Sequence, residues 1–397
     1  MAAEAERNAV VTFMRAEVLA ARLEATARAE PEVGNLWRSE ITLAEAVASV
    51  GLEGLRISEG DLLPRIALNG GQDADPAGAE LALSLIPLLK APGDPLARPV
   101  ETIRRFERAL GTGMRIDLPE EAEAQRLSDA EIERLFAGLD SGDMPILAAA
   151  RAAAGYAALS QRASPVIERL IFMSVDSSLR GRTAHRQAPD DILRGLSGRV
   201  DAHWVSPPAL ALSHRRFLSW SPGGEEGLMS LGTGLARLFE AELGRFALSR
   251  DWLRRGREAA RGRGGRSRMA DAVQAFGTAP VLNSAQLAET IGVSIRTALT
   301  LLDEMTELGL LQEITGRRTA RIWAVPGLGA RLAARPRRGV GLPARITGPL
   351  DETNELTHQR RREPRKEEHQ AMERAFLELD AALARASALL IGTQRRK

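Results

Sequence analysis

Cysteine does not occur anywhere in the 397-residue chain, which excludes disulfides, thiolate metal sites and cysteine nucleophiles. Aromatic residues supply only 4% of positions. Strand surfaces draw on such bulky side chains, so their scarcity beside abundant Ala and Leu points to a mainly α fold. Long apolar runs are missing too. The nearest, "LALSLIPLLK", is interrupted by Pro87 and ends at Lys90, well short of the roughly 18 residues that argue for a membrane span. The first 30 residues mix charges into their apolar positions and offer no uninterrupted apolar core, unlike a signal peptide. A soluble cytoplasmic protein without a membrane partner is the expectation. Lysine is nearly absent: Lys90, Lys366 and Lys397 stand against 51 arginines, so arginine abundance by itself reflects composition rather than a particular ligand.

Catalytic signatures are equally scarce. No phosphate-binding loop of the GxxxxGK type, no GxSxG elbow and no HExxH helix occurs. The "GTGMRI" and "GTGLARL" stretches are isolated turns, and His203 beside Trp204 reads as a packed residue. The expected protein is not an enzyme and carries no cofactor or metal.

What is present is a charge asymmetry. Residues 1–249 hold 27 Lys and Arg against 35 Asp and Glu, whereas residues 250–397 hold 27 against 17. The C-terminal part is where a polyanion would be drawn. Its most basic stretch, residues 250–268, carries eight arginines interleaved with glycines. It reads as a helix end fraying into an Arg-rich linker, either a solvated hinge or a phosphate-contacting arm.

Before that linker the apolar spacing predicts a multi-helix domain over 1–249. A first amphipathic helix presents Val10, Val11, Phe13, Met14 and Val18 before Pro31. A second runs through "LWRSEITLAEAVASVGLEG", and Ser58 is placed to cap a third. Further helices are expected at 99–110, 128–138, 143–161, 164–176, 189–198, 207–219 and 228–256, with a capping box formed by Ser128 and Glu131. Beyond residue 330 the Pro-, Gly- and charge-rich stretch 331–366 predicts a disordered linker. A C-terminal helix over 367–391 follows, with a short heptad seam from Met372 to Leu390.

Between these lies "LNSAQLAETIGVSIRTALTLLDEMTELGLLQEITGRRTARIWAV", residues 282–325. Ser284 precedes a helix whose Leu287, Ala288 and Ile291 share an inward face. Gly292 permits a sharp reversal, Val293 plugs the corner, and Ser294 caps a second helix with Ala298, Leu301, Leu302, Met305 and Leu308 buried. Gly309 terminates it, and two apolar-rich runs around Thr315 to Thr319 form a β-hairpin. Over 269–330 this order predicts a winged helix-turn-helix.

In that geometry the start of the second helix meets the major groove and the wing reaches the backbone. The candidate DNA-binding residues are therefore Ser284, Ser294, Ile295, Arg296, Thr297, Leu299 and Thr300, with Arg317, Arg318, Thr319 and Arg321 on the wing. Arg296 suits a guanine edge, and Ser294, Thr297 and Thr300 suit phosphates. Ile295 and Leu299 are apolar where a polar side chain would serve DNA better. They suit thymine methyl groups, or a protein contact that would make the module an adaptor.

The segment 268–330 resembles the C-terminal winged helix attached to many bacterial Fic-family proteins, and "AEAVASVGLEGLRISEGDLL" resembles their N-terminal region. Ser49, Glu53 and Gly54 match that family's Ser/Thr-x-x-x-Glu-Gly/Asn motif, whose glutamate is inhibitory. The chain departs from the family at the catalytic motif. None of His185, His203, His214, His358 and His369 lies in a His-Pro-Phe context, and no Gly-Asn-Gly occurs. Without a base and an anion cradle, nucleotidyl transfer has no machinery. A degenerate transferase is thus the lesser alternative. The arrangement as a whole also resembles an alphaproteobacterial, often plasmid-borne family that joins an uncharacterised helical domain to a C-terminal helix-turn-helix. That resemblance implies a transcriptional regulator that binds double-stranded DNA, expected as a homodimer because one module reads only a short half-site.

Overall fold

Pro31 opens the helix around which the others assemble, its fixed φ suited to a first turn whose N–H groups lack helical partners in any case. This is α2 (Pro31–Leu52), preceded by α1 (Ala2–Ala29) and followed by α3 (Glu59–Leu68), α4 (Pro76–Lys90) and α5 (Pro99–Gly113). Next come α6 (Asp129–Ala137), α7 (Pro145–Leu159), α8 (Pro165–Gly181), α9 (Pro208–Ser213) and α10 (Glu225–Arg261). The computed structural model describes residues 2–68, 76–113, 126–139, 144–160, 164–181, 202–214, 218–261, 263, 267–315 and 321–333, and over these the chain is mainly helical. Among them no helix is long and apolar enough to cross a membrane. Pro87, which interrupts the apolar run in the sequence, lies inside α4 without ending it.

Apolar residues bury α2 on nearly every side, and several of its polar residues tether different neighbours. Glu45 accepts from the backbone N–H groups of Ala209 and Leu210 in α9, at 2.9 and 2.7 Å. The indole of Trp37 donates to Glu242 of α10 at 3.0 Å. Arg38 donates to the carbonyls of Trp204 and His203. A buried polar group costs free energy unless it is bonded, so these side chains specify which element packs where.

Elsewhere the packing follows small residues. Along α7, Ala148, Ala149, Ala150, Ala152, Ala153 and Ala154 are all buried, and α8 lies against that helix. The inward face of α1, packed along α10, consists of Phe13, Ala16, Ala20, Leu23 and Ala27. Val11 and Val18, expected on the apolar face, are instead 63% and 67% exposed. Alanine at the seam lets the helices approach, which turns the larger valines outward. Ser128 caps α6 through the expected capping box with Glu131. The helix expected at 207–219 extends only over Pro208–Ser213. The one expected at 189–198 lies outside the described residues, as does the C-terminal helix at 367–391.

The Arg-rich linker is the largest correction. Helix α10 continues to Arg261 without a break at Gly256. A Cβ at that position would lie 2.8 Å from Cγ1 of Val273, so Gly256 is the site of a close helix crossing and not a hinge. Six of the arginines there are committed to acidic partners: Arg250 to Glu30, Arg254 to Asp251 and Glu258, Arg255 to Asp251, Arg257 to Glu32, Arg263 to Glu304 and Arg268 to Asp271. Part of the charge asymmetry between the halves is therefore spent within the molecule.

After α10 follow α11 (Met269–Thr278), β1 (Val281–Asn283), α12 (Ser284–Ile291), α13 (Ile295–Glu307), β2 (Gln312–Glu313) and β3 (Ile322–Ala324), then α14 (Pro326–Ala333). The three strands form one antiparallel sheet in the order β1-β3-β2, with Leu282 opposite Trp323 and Glu313 opposite Trp323 on the other side. The sequence pattern predicts the β2–β3 pair but misses β1. It also misses α14, which crosses the expected boundary at residue 330. Arg331 of α14 reaches Glu40 of α2 and Glu59 of α3 at 3.4 and 3.2 Å. Buried residues from α1 to Leu328 form one continuous apolar cluster.

Candidate nucleic-acid interface

Asn283, the last residue of β1, caps α12. Its side chain accepts from the Gln286 N–H at 2.8 Å, and the Gln286 side chain accepts from the Asn283 N–H at 3.0 Å. Ser284, the expected cap, is instead the first helical residue and half-buried. The Asn-x-x-Gln spacing was visible in the sequence and marks a reciprocal cap as well as a serine does. At the other end Gly292 adopts the left-handed conformation, φ 67°. The Val293 N–H bonds back to Ala288 O at 3.0 Å, and Val293 packs partly against the core. The chain thereby reverses within three residues between α12 and α13.

Ser294 caps helix α13, its hydroxyl accepting from the Thr297 N–H at 3.1 Å. Ala298, Leu301, Leu302 and Met305 are buried, whereas Leu308, expected with them, is 44% exposed. Gly309, also left-handed, ends the helix, and Leu310 N–H returns to Met305 O at 2.8 Å. The indole of Trp252 in α10 donates to Leu310 O at 2.6 Å, fastening this corner to the long helix.

The outward face of the first turns of α13 consists of Ser294, Ile295, Arg296, Thr297 and Thr300, all exposed. Ile295 is 54% exposed, but Leu299 packs partly against the core and so belongs less to the outer surface than the sequence suggests. The hydroxyls are partly engaged. Ser294 and Thr297 bond one another at 2.9 Å, and Thr300 donates to Arg296 O at 3.1 Å. One shared proton leaves the Ser294–Thr297 pair a second proton to donate outward, while Thr300 has spent its own. Arg296 pairs with no carboxylate among the described residues, and it stands at the positive end of the α13 dipole.

The remainder of this surface is acidic, and part of its charge is countered. Arg263 pairs with Glu304, and Arg321 pairs with Asp303 at 3.1 Å and Glu313 at 3.3 Å. The Arg321 guanidinium also lies over the Trp323 ring, 4.6 Å from its centroid. Arg321, expected to contact phosphate from the wing, is thus held by two carboxylates and an aromatic face inside its own unit. Arg317, Arg318 and Thr319 lie outside the described residues.

Ser49, Glu53 and Gly54 serve a different purpose. Arg169 of α8, 2% exposed in its side chain, donates to the Ser49 hydroxyl at 3.0 Å and to Glu53 at 2.7 Å. Glu53 is the C-cap of α2, and Gly54 takes φ 79° immediately after it. The serine–glutamate–glycine spacing is that of a helix terminus clamped to a buried arginine. No protein-family model and no curated protein matches this chain.

Proposed function

We propose that residues 269–330 form a winged helix-turn-helix and that the protein is a sequence-specific DNA-binding regulator. Helix α13 enters the major groove by its N-terminal end. The observation that carries this reading is Arg296: exposed on the first turn, unpaired with any carboxylate among the described residues, and flanked by exposed Ser294 and Thr297. Arg263 and Arg321, the described arginines nearby, are committed to acidic partners, so Arg296 supplies the charge-assisted bidentate contact that a guanine edge accepts. Ile295 beside it suits a thymine methyl. A homodimer reading two half-sites fits the small face presented.

The test is binding of the purified chain to fragments of its own upstream region, titrated with salt in the presence of random competitor DNA. Binding that resists the competitor and falls linearly in log affinity against log salt supports the reading. Binding lost equally to random DNA argues against a specific regulator. A second reading rests on Ile295, whose 54% exposure on the first turn of α13 also suits a protein contact. It gains support if no DNA binds at low salt, or if Arg296→Ala leaves DNA binding intact.

A further inference from the structure

A cleft of about 830 Å³ opens where α2, α10 and α11 meet. Its volume lies within the range of small-molecule sites, roughly 300–1,000 Å³. The floor is apolar: Leu253 and Val273 are each only 4% exposed, and Gly277 leaves space that a side chain would fill. The close crossing at Gly256 holds the α10 and α11 walls together at this depth. The rim is polar and positive on one side. Arg257 is already neutralised by Glu32 on the opposite wall. Arg261, one turn further along α10, lines the same cleft and pairs with no carboxylate among the described residues.

An apolar floor beneath one unspent guanidinium selects for a molecule with an apolar body and a single anionic end. We propose that this cleft binds an amphipathic organic carboxylate, its hydrocarbon lying over Leu253, Val273 and Gly277 and its carboxylate meeting Arg261. Asn35 and Gln274, also on the lining, supply amide N–H donors for a further polar group on such a ligand. A bound molecule would touch α2 and α10 on one side and α11 on the other. It would therefore strengthen the attachment of the C-terminal unit to the helical body. The inference stands apart from DNA binding, because neither its chemistry nor its readout involves nucleic acid.

Isothermal titration of the full chain with decanoate, with decylamine and acetate as controls, tests the site. The expected result is saturable binding of one decanoate per chain, a raised melting temperature, and no comparable binding of decylamine or acetate. Arg261→Ala should weaken decanoate about tenfold, the scale of one lost charge-assisted hydrogen bond. Ala270→Trp, which fills the mouth from an exposed position, should abolish binding. Circular dichroism should show both variants folded as the parent is. No saturable binding of decanoate or of its longer homologue laurate overturns the proposal. So does equal binding of decylamine, or parent-like affinity in both variants. If Arg261→Ala weakens DNA binding while decanoate fails to bind, Arg261 is a phosphate contact and the cleft proposal fails.

Discussion

Glu45 sits fully enclosed between α2 and α9, and burial pushes its carboxyl up to about 7 although two backbone N–H groups oppose the shift. Burial raises Glu17 and Glu40 to about 7 as well, against the pull of Arg180 and Arg331 respectively. Each folded-state value lies above the 4.5 of an ordinary glutamate. These groups therefore bind protons on folding, and the stabilisation is complete below about pH 4.5 and lost as pH rises through about 7. Considered alone, they should raise the melting temperature as pH falls across that window. Each group contributes up to about 1.4 kcal/mol per pH unit. Thermal melts of the parent against Glu45→Gln should show a shallower slope in the variant, and an unchanged slope would refute the assignment. Two arginines separate binding from stability. Arg296→Ala should cost roughly 1–3 kcal/mol in affinity for a specific DNA site and relax preference at one base pair, with little change in melting temperature. Arg321→Ala should lower the melting temperature, since it removes two carboxylate contacts and the Trp323 stacking. Comparing melts and binding isotherms of the two variants checks the distinction.

At the level of elements, the caps decide where helices begin. Asn283→Ala removes a reciprocal cap and should destabilise the protein by about 1 kcal/mol, whereas Ser284→Ala, in the first helical position, should cost only a few tenths. Denaturant titration of both variants tells them apart, and the reverse order would restore the serine as the cap. The crossing of α10 over α11 makes the opposite demand at Gly256. Replacing a mid-helix glycine ordinarily gains up to about 1 kcal/mol in helix propensity. Here the added Cβ meets Val273 at 2.8 Å, so Gly256→Leu should be net destabilising by about 1–3 kcal/mol. Pairing it with Val273→Ala should recover part of the loss in a double-mutant cycle. An additive double mutant would mean that the two residues do not compete for the same space.

For the molecule as a whole, the described helical body and the 269–333 unit share one apolar core. They are also joined by Trp252 to Leu310, Ser39 to Thr278 and Arg331 to Glu40 and Glu59. Unfolding in denaturant followed by tryptophan fluorescence and by far-ultraviolet circular dichroism should therefore give coincident transitions. Two resolved transitions would mean that the C-terminal unit is an independent domain, as the interrupted sequence pattern suggests. The expectation of a linker at 250–268 failed because glycine and arginine carry opposite meanings in different surroundings. A glycine facing solvent loosens a helix, while one facing Val273 tightens a crossing. An arginine without a neighbour seeks a polyanion, while Arg250 and Arg257 find Glu30 and Glu32 more than 200 residues earlier in the chain.

The sequence by itself determined the mainly helical character, through residue types and a 3.6-residue apolar period. It also determined the Ser128, Ser294, Gly292 and Gly309 termini, which depend on residues within a turn of one another, and the β2–β3 pairing, whose partners such as Gln312 and Ala324 are joined by one short loop. Those signals are local, so local spacing is enough to read them. The tertiary structure alone decided which valines of α1 face outward, that α10 runs unbroken past the expected boundary, and that Arg321 is spent on Asp303 and Glu313 while Arg296 is not. It alone assembled the cleft from α2, α10 and α11. Each of these depends on which side chains meet across long stretches of chain, and the free energy of burial and pairing is set by that meeting, not by the residue's neighbours in sequence.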